Sequence, residues 1–519
     1  MGKLSYFQLL FTHPTEFIAL AQYWLFHEPK RDITNPNEFK TSGYDRETMK
    51  KCWDFLDKTS RSFAAVIKEL DGDLARAICL FYLVLRGLDT IEDDMTLSDE
   101  IKQPILRTFH HKLSLEGWTF DGCGPYEKDR QLLVEFDNVI AEMGHLDPLC
   151  REVITDICHK METGMADFAH RAATSKTIPY LSTITEYDLY CHYVAGLVGE
   201  GLSRLFTATE KERPWLADQL VLSNSMGLLL QKTNILRDFR EDVDERRYFW
   251  PQEIWGAYGF KRPEDLCLAV EKETKEESQA LWALSHMTLN ALSHCVDALD
   301  YLVLLKNQSV FNFCAIPAVM AIATLDVCFM NRDVFLKNVK IRKGEAVKLI
   351  MQSTNPMTVS HRFRDYARSI HSKASPKDPH FLALAVMCGK IEAWVEHHYP
   401  TFVNITKETK KLEYNAEDPR SAIVKREHDL EREKVRRARG ETLKQGELER
   451  LVPERHVDQT VPWQLYVFII VAFAFLLAVT GMVVLVSLWY FYGEEWKWAD
   501  LGTTSIGLGI QRDGNVVQQ

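Results

Sequence analysis

Six carboxylates in two short stretches of the chain have the types and spacing to do chemistry. "LRGLDTIEDDM" carries Asp89, Glu92 and Asp93, and "QKTNILRDFREDVDE" carries Asp238, Glu241 and Asp242. Both are D-x-x-E-D, with acids at i, i+3 and i+4, so on a helix each set shares one face. One such motif alone reads as a solvated acidic face. Two copies, each following an apolar run ("ARAICLFYLV" and "SMGLLL"), read instead as acids on interior helices. Two carboxylate clusters facing one cavity repel strongly at low dielectric, so a cation must compensate. Carboxylate and amide oxygens without a Cys/His set suit magnesium, which keeps part of its water shell and shares the rest with substrate phosphates. The expected site is two acidic walls holding magnesium ions that grip a diphosphate.

Helices must position these groups. At about 100° per residue, Tyr82, Arg86, Asp89 and Asp93 fall in one stripe with Glu92 beside it. Asp94 points away from that stripe and is left out. Gln231, Asn234, Asp238, Glu241 and Asp242 share a second face, which makes Tyr82, Gln231 and Asn234 pocket candidates. Helical periodicity runs through residues 1–405, with proline and glycine mostly between the periodic stretches. No repeat of solenoid length is visible. The expectation is an all-α catalytic domain of ten or more helices over 1–405. The apolar segment "FNFCAIPAVMAIATL" (311–325) is short for a membrane span and contains Pro317, so it reads as a buried core helix.

Composition limits the function further. The 519 residues carry a formal net charge of -11, which excludes a nucleic-acid binder as a whole. An anionic substrate stays possible through metal ions or a local basic cluster. The 11 cysteines form no C-x-x-C pair and read as reduced, buried thiols. Beyond residue 405 the character changes. Residues 406–462 form a spacer dense in both signs of charge, unable to bury a core. Residues 463–492 are uncharged and apolar, with Trp463 and Tyr466 at one edge and Trp489, Tyr490 and Tyr492 at the other, as in a transmembrane anchor. A short tail, 493–519, follows. The N-terminal stretch lacks the features of a signal peptide. The expected topology is a single-pass C-terminal anchor with a cytoplasmic catalytic domain, leaving the sequons at Asn307 and Asn404 unglycosylated.

The blocks "FYLVLRGLDTIEDDM", "YCHYVAGLVGEGLSRLF", "NSMGLLLQKTNILRDFRED", "FWPQEIW", "NQSVFNFCAIP" and "VKIRKG", in order over about 40–350, closely resemble the squalene synthases (farnesyl-diphosphate farnesyltransferases) of the phytoene/squalene synthase family. The resemblance implies an isoprenoid-synthase-type helical domain with a central cavity. It implies condensation of two farnesyl diphosphates to presqualene diphosphate, then reduction by NADPH to squalene with release of diphosphate, at the entry to sterol biosynthesis. It assigns the two acidic sets to magnesium and diphosphate, and Tyr190 to proton handling in the first step. No G-x-G-x-x-G follows a strand, so NADPH phosphates would be held by basic side chains. The resemblance points to Arg61, Arg86, Arg237, Lys340 and Arg342, of which Arg86 and Arg237 are equally placed to pair with the acids or hold substrate diphosphate. A carbocation needs a dry, apolar pocket, for which Phe313, with Phe81, Phe206 and Phe311, is candidate lining. Gly196 and Gly199 read as close-packing positions. The resemblance also implies the endoplasmic reticulum membrane and a monomeric catalytic domain. Two rival readings stand beside it. A phytoene-synthase-like head-to-head prenyltransferase without NADPH is opposed by "VKIRKG", "NQSVFNFCAIP" and the anchor. A membrane-anchored helical scaffold is opposed by the apolar setting of both acidic motifs.

Overall fold

Wherever apolar residues recur at helical spacing the chain coils, and among the described residues no strand forms. The computed structural model describes residues 12–26, 31–60, 62–174, 181–401, 425–426 and 463–492. The chain divides into two units, Met1–Val457 and Asp458–Gln519.

In the first unit, α1 (Pro14–Phe26) precedes α2 (Leu74–Asp93), the helix with the first acidic motif. The residues of α2 that are not buried are Tyr82, Arg86, Asp89, Glu92 and Asp93, which is the stripe expected from the spacing. Its rotation is fixed by the rest. Burying Phe81, Leu83, Val84 or Leu88 stabilises by roughly 1.5–3 kcal/mol each, and turning the helix would exchange those side chains for acids.

Further along, past other short helices, are the short α3 (Phe109–Lys112) and the long α4 (Pro148–Thr174), which packs on both α2 and α3. The next helix, α5 (Ile184–Cys191), is started by Thr183, whose side chain accepts the Glu186 N–H. It runs into a π-helical turn, His192–Gly196, and on into α6 (Leu197–Ala208). Single π turns of this kind gather at functional sites. Against this turn and α6 lies α7 (Leu220–Arg237). The approach requires the two glycines: a Cβ at Gly196 would strike the Asn224 side chain, and one at Gly199 the Ser223 carbonyl oxygen.

The second acidic motif is not on one unbroken helix. Asp238 (φ −93°, ψ 7°) ends α7, and α8 (Phe239–Asp244) begins after it. The bonds from Asp238 N–H to the Asn234 carbonyl and from Asp242 N–H to the Asp238 carbonyl, both 2.9 Å, carry the helical spacing across the break.

Asn307 caps α9 (Gln308–Cys328) by accepting from the Ser309 and Val310 N–H groups. This helix is long and apolar enough to cross a membrane, yet it is buried against α7 and serves as the expected core helix. Two more helices, α10 (Lys343–Gln352), which packs on α1, and α11 (Pro356–Lys373), which packs on α9, extend the bundle. All 11 cysteines are free and buried.

The second unit contains α12 (Trp463–Tyr492), 30 residues long. Ile470, Phe475, Met482 and Leu485 on it are exposed. The spacer apart from 425–426, the tail 493–519, Asn404 and Arg61 lie outside the described residues.

Candidate active site

The two acidic motifs line one cavity of about 770 Å³. Along α2 the wall passes from Ile78, Phe81, Tyr82 and Leu85 to Arg86, Asp89, Glu92 and Asp93. Along α7 it passes from Met226 and Leu230 through Gln231 and Asn234 to Arg237 and Asp238, with Asp242 of α8 beyond. Both walls therefore turn from apolar to acidic toward the helix C-termini. Phe63, Val198, Leu202 and Phe313 complete the apolar part, where Phe313 meets Phe63 edge-on at 6.2 Å. Asp89, Glu92 and Asp93, at the C-terminus of α2, lie at the negative end of its macrodipole, which disfavours them and favours a cation beside them.

The electrostatics show the same shortage of positive charge. Asp89 keeps 34% of its side chain open to the cavity and pairs with Arg86 at 2.5 Å. Burial, then repulsion from Asp93, still pushes its carboxyl up to about 6. Burial, with the charges of Asp93 and Asp89, pushes Glu92 to about 8. Burial pushes Asp242 to about 7, with Asp238 adding to the shift and Arg247 opposing it. An all-oxygen donor set that cannot ionise fully by itself suits a hard dication. Asp94 is 1% exposed and accepts from Thr96 and from the Gly124 N–H, so it is structural, as expected.

Several residues without a sequence signal complete the site. Arg247 reaches Asp242 at 3.0 Å and Asp93 at 3.5 Å, so one guanidinium spans the two motifs. Its position comes from the end of α8. Arg246 adopts φ 60°, its N–H bonds the Val243 carbonyl, and the Arg247 N–H bonds the Asp242 carbonyl. This is a Schellman turn with arginine where glycine is usual. Phe249 then stacks on Tyr190 with centroids 5.1 Å apart. Tyr190, 8% exposed, faces the cavity, and burial followed by the charges of Glu92, Asp93 and Asp89 raises its phenol far above the usual range. Two residues before it, Asp188 is tied to the buried Lys232 of α7 at 2.6 Å, and Lys232 also donates to His294 at 2.8 Å. That network, centred on the buried lysine, joins the tyrosine's helix to the second acidic wall.

Some expected members sit elsewhere. Glu241 is exposed at the rim, where Asn338 donates to it at 2.7 Å and to Asp238 at 2.5 Å. Phe81 and Phe313 line the cavity, whereas Phe206 and Phe311 do not and are wholly buried core. The four described basic residues do not all line the cavity. Arg86 and Arg237 line the cavity, with Arg237 paired to Asp238 at 2.8 Å. Lys340 is exposed, and Arg342 grips the buried Glu16 of α1 at 2.6 Å. Lys128, which had no sequence signal, is a further cation in the lining.

A family model described as squalene/phytoene synthase matches residues 56–345. The squalene synthase of Ganoderma lucidum is 58% identical over 449 residues, covering 84% of this chain and 95% of that one. The squalene synthase of Schizosaccharomyces pombe is 52% identical over 388 residues, covering 74% and 81%. A solved structure of TcSQS in complex with a ligand superposes with a TM-score of 0.63 and 38% identity, covering 68% of this chain and 99% of that one. The chain belongs to the squalene/phytoene synthase family, among its squalene synthases.

Proposed function

We propose that this chain condenses two farnesyl diphosphates to presqualene diphosphate and reduces that intermediate with NADPH to squalene. The observation that carries this reading is the single cavity, acidic on both walls at one end and aromatic at the other. Asp89, Glu92, Asp93, Asp238 and Asp242 would hold magnesium ions, with Glu241 supporting them from the rim; bound magnesium stabilises the charge growing on the departing diphosphate.

The chain's own residues do the rest. Arg86, Arg237, Arg247 and Lys128 bring positive charge to the acidic end, and the three arginines can exchange carboxylate partners for phosphate with bidentate geometry. Tyr190 stays a neutral phenol, able to hold and deliver a proton at its Oη, while the stacked Phe249 fixes its ring. Phe63, Phe81 and Phe313 line the apolar end, where they would exclude water from the carbocation. Of the described basic candidates, Arg86 and Arg237 line the cavity and Lys340 and Arg342 do not, so the first two are the ones that would meet a phosphate there.

Residues 1–405 act as a monomeric catalytic domain, 406–462 as a spacer, and 463–492 as an anchor in the endoplasmic reticulum membrane, with 493–519 as a tail. An uncharged helix of 30 residues with exposed Ile470, Phe475 and Met482 requires an apolar solvent, which supports the anchor. The test is incubation with labelled farnesyl diphosphate and magnesium, with and without NADPH. Squalene is expected with NADPH, and presqualene diphosphate accumulates without it. Absence of product from both tubes refutes the reading, and a product indifferent to NADPH replaces it with a phytoene-synthase-like reaction.

A further inference from the structure

On the side of α4 turned away from the cavity, three side chains meet around one buried oxygen. Met161 of α4 lines the cavity, and His159, two residues earlier, falls on the opposite face of that helix. Glu162 has a side chain 1% exposed. Its Oε2 accepts the His110 backbone N–H at 2.8 Å, which fixes the carboxylate. Its Oε1 contacts Nδ1 of His110, from α3, and Nδ1 of His159 at 3.1 Å.

We propose that His110, His159 and Glu162 form a zinc site distinct from the acidic cavity. One potential ligand atom from each lies within 4.8 Å of the others. Bonds of about 2.0–2.2 Å to a tetrahedral ion put ligand atoms about 3.3–3.6 Å apart, so Glu162 Oε1 must draw back slightly from the two imidazole nitrogens it now contacts to admit the ion, within reach of side-chain rotations. Two imidazoles with one carboxylate match a zinc donor set and are too rich in nitrogen for magnesium or calcium. The carboxylate is already oriented by a backbone N–H, as outer-shell hydrogen bonds orient metal ligands.

The packing of the rings adds a second reason. The His110 ring lies 3.9 Å from that of His111 and 4.1 Å from that of His159. These close, tilted rings hold the His110 and His159 nitrogens near the buried carboxylate, whose charge zinc would offset. His110 and His111 also line a separate cavity of about 600 Å³, which leaves room for water as a fourth ligand. Bound there, zinc would clip α3 to the long helix that backs the catalytic cavity.

The test uses the full chain in detergent, freed of metals and then saturated with magnesium to fill the acidic cavity. Zinc is titrated against a chromophoric chelator, and cobalt(II) absorption is recorded in parallel. One zinc equivalent is expected, with intense tetrahedral cobalt bands and a melting temperature raised by zinc. His159→Ala, which removes an exposed side chain, and His110→Ala should each weaken zinc by about tenfold or more. Both should abolish the melting shift, and His159→Ala should keep magnesium-dependent turnover, which reports an intact fold. Zinc bound equally by His159→Ala and the parent, or no zinc in the presence of magnesium, would overturn the proposal and leave a hydrogen-bonded triad.

Discussion

At the residue scale the site depends on charges that are incompletely compensated. Asp89→Asn and Asp238→Asn each remove one negative charge from a repelling cluster, so the fold should survive. Turnover of farnesyl diphosphate should drop by on the order of 10²–10³, as for loss of a group that stabilises developing charge. Near-normal turnover with unchanged circular dichroism would remove that residue from the site. The raised carboxyls also set a pH dependence. Asp89, Glu92 and Asp242, at about 6, 8 and 7, lie above their ordinary values. The folded, metal-free protein therefore binds more protons than the unfolded chain between roughly pH 4 and 8, and its stability should fall as pH rises through that window. Magnesium needs ionised carboxylates, so its binding should release protons at pH 7 and tighten from pH 6 to 8. Calorimetry in two buffers of different ionisation heat checks this, because a binding enthalpy independent of buffer means that no proton is released.

At the element scale the π turn, the break at Asp238 and the turn after α8 matter more than helix length. The left-handed Arg246 stores roughly 1–2 kcal/mol of backbone strain in order to swing Arg247 between the motifs. Arg246→Gly should keep turnover and raise the urea midpoint. Arg246→Val, for which this conformation is costlier, should lower both, although the position is not one that bridges the acids. Equal behaviour of the two variants would show that backbone conformation there is unimportant. The N-cap of α9 has a comparable bearing on modification. Asn307 accepts from Ser309 and Val310 and donates to Asp71 at 2.9 Å, so a glycan there would cost the cap.

At the scale of the whole molecule the chain separates at Val457, between the helical unit and the unit that holds α12. Ending the chain at Val457 should release a soluble protein that retains turnover in detergent-free buffer, measured by squalene formation in the supernatant after centrifugation. Activity found only in the pellet, or lost altogether, would tie catalysis to the anchor unit.

The sequence by itself determined the first acidic stripe, because a 3.6-residue period and an apolar flank leave Asp89, Glu92 and Asp93 one face to occupy, whereas the second is carried across a helix break that leaves Glu241 outside the lining. It also determined the helical class, the buried thiols and the core role of α9, all consequences of local composition and period. The sequence-based expectation was incomplete wherever distant segments meet. Arg247, Asn338 and Lys128 carry no local pattern that marks them, and Phe249 was legible only as the start of the block "FWPQEIW", since each gains its role from a turn or a loop that tertiary packing places at the cavity. Phe206 and Phe311 have the same local character as Phe313, and only packing decided that they are core while Phe313 faces the cavity. Arg342 likewise looked free to hold a phosphate until α1 brought the buried Glu16 against it. Period decides which residues share a face, and three-dimensional packing decides what that face meets.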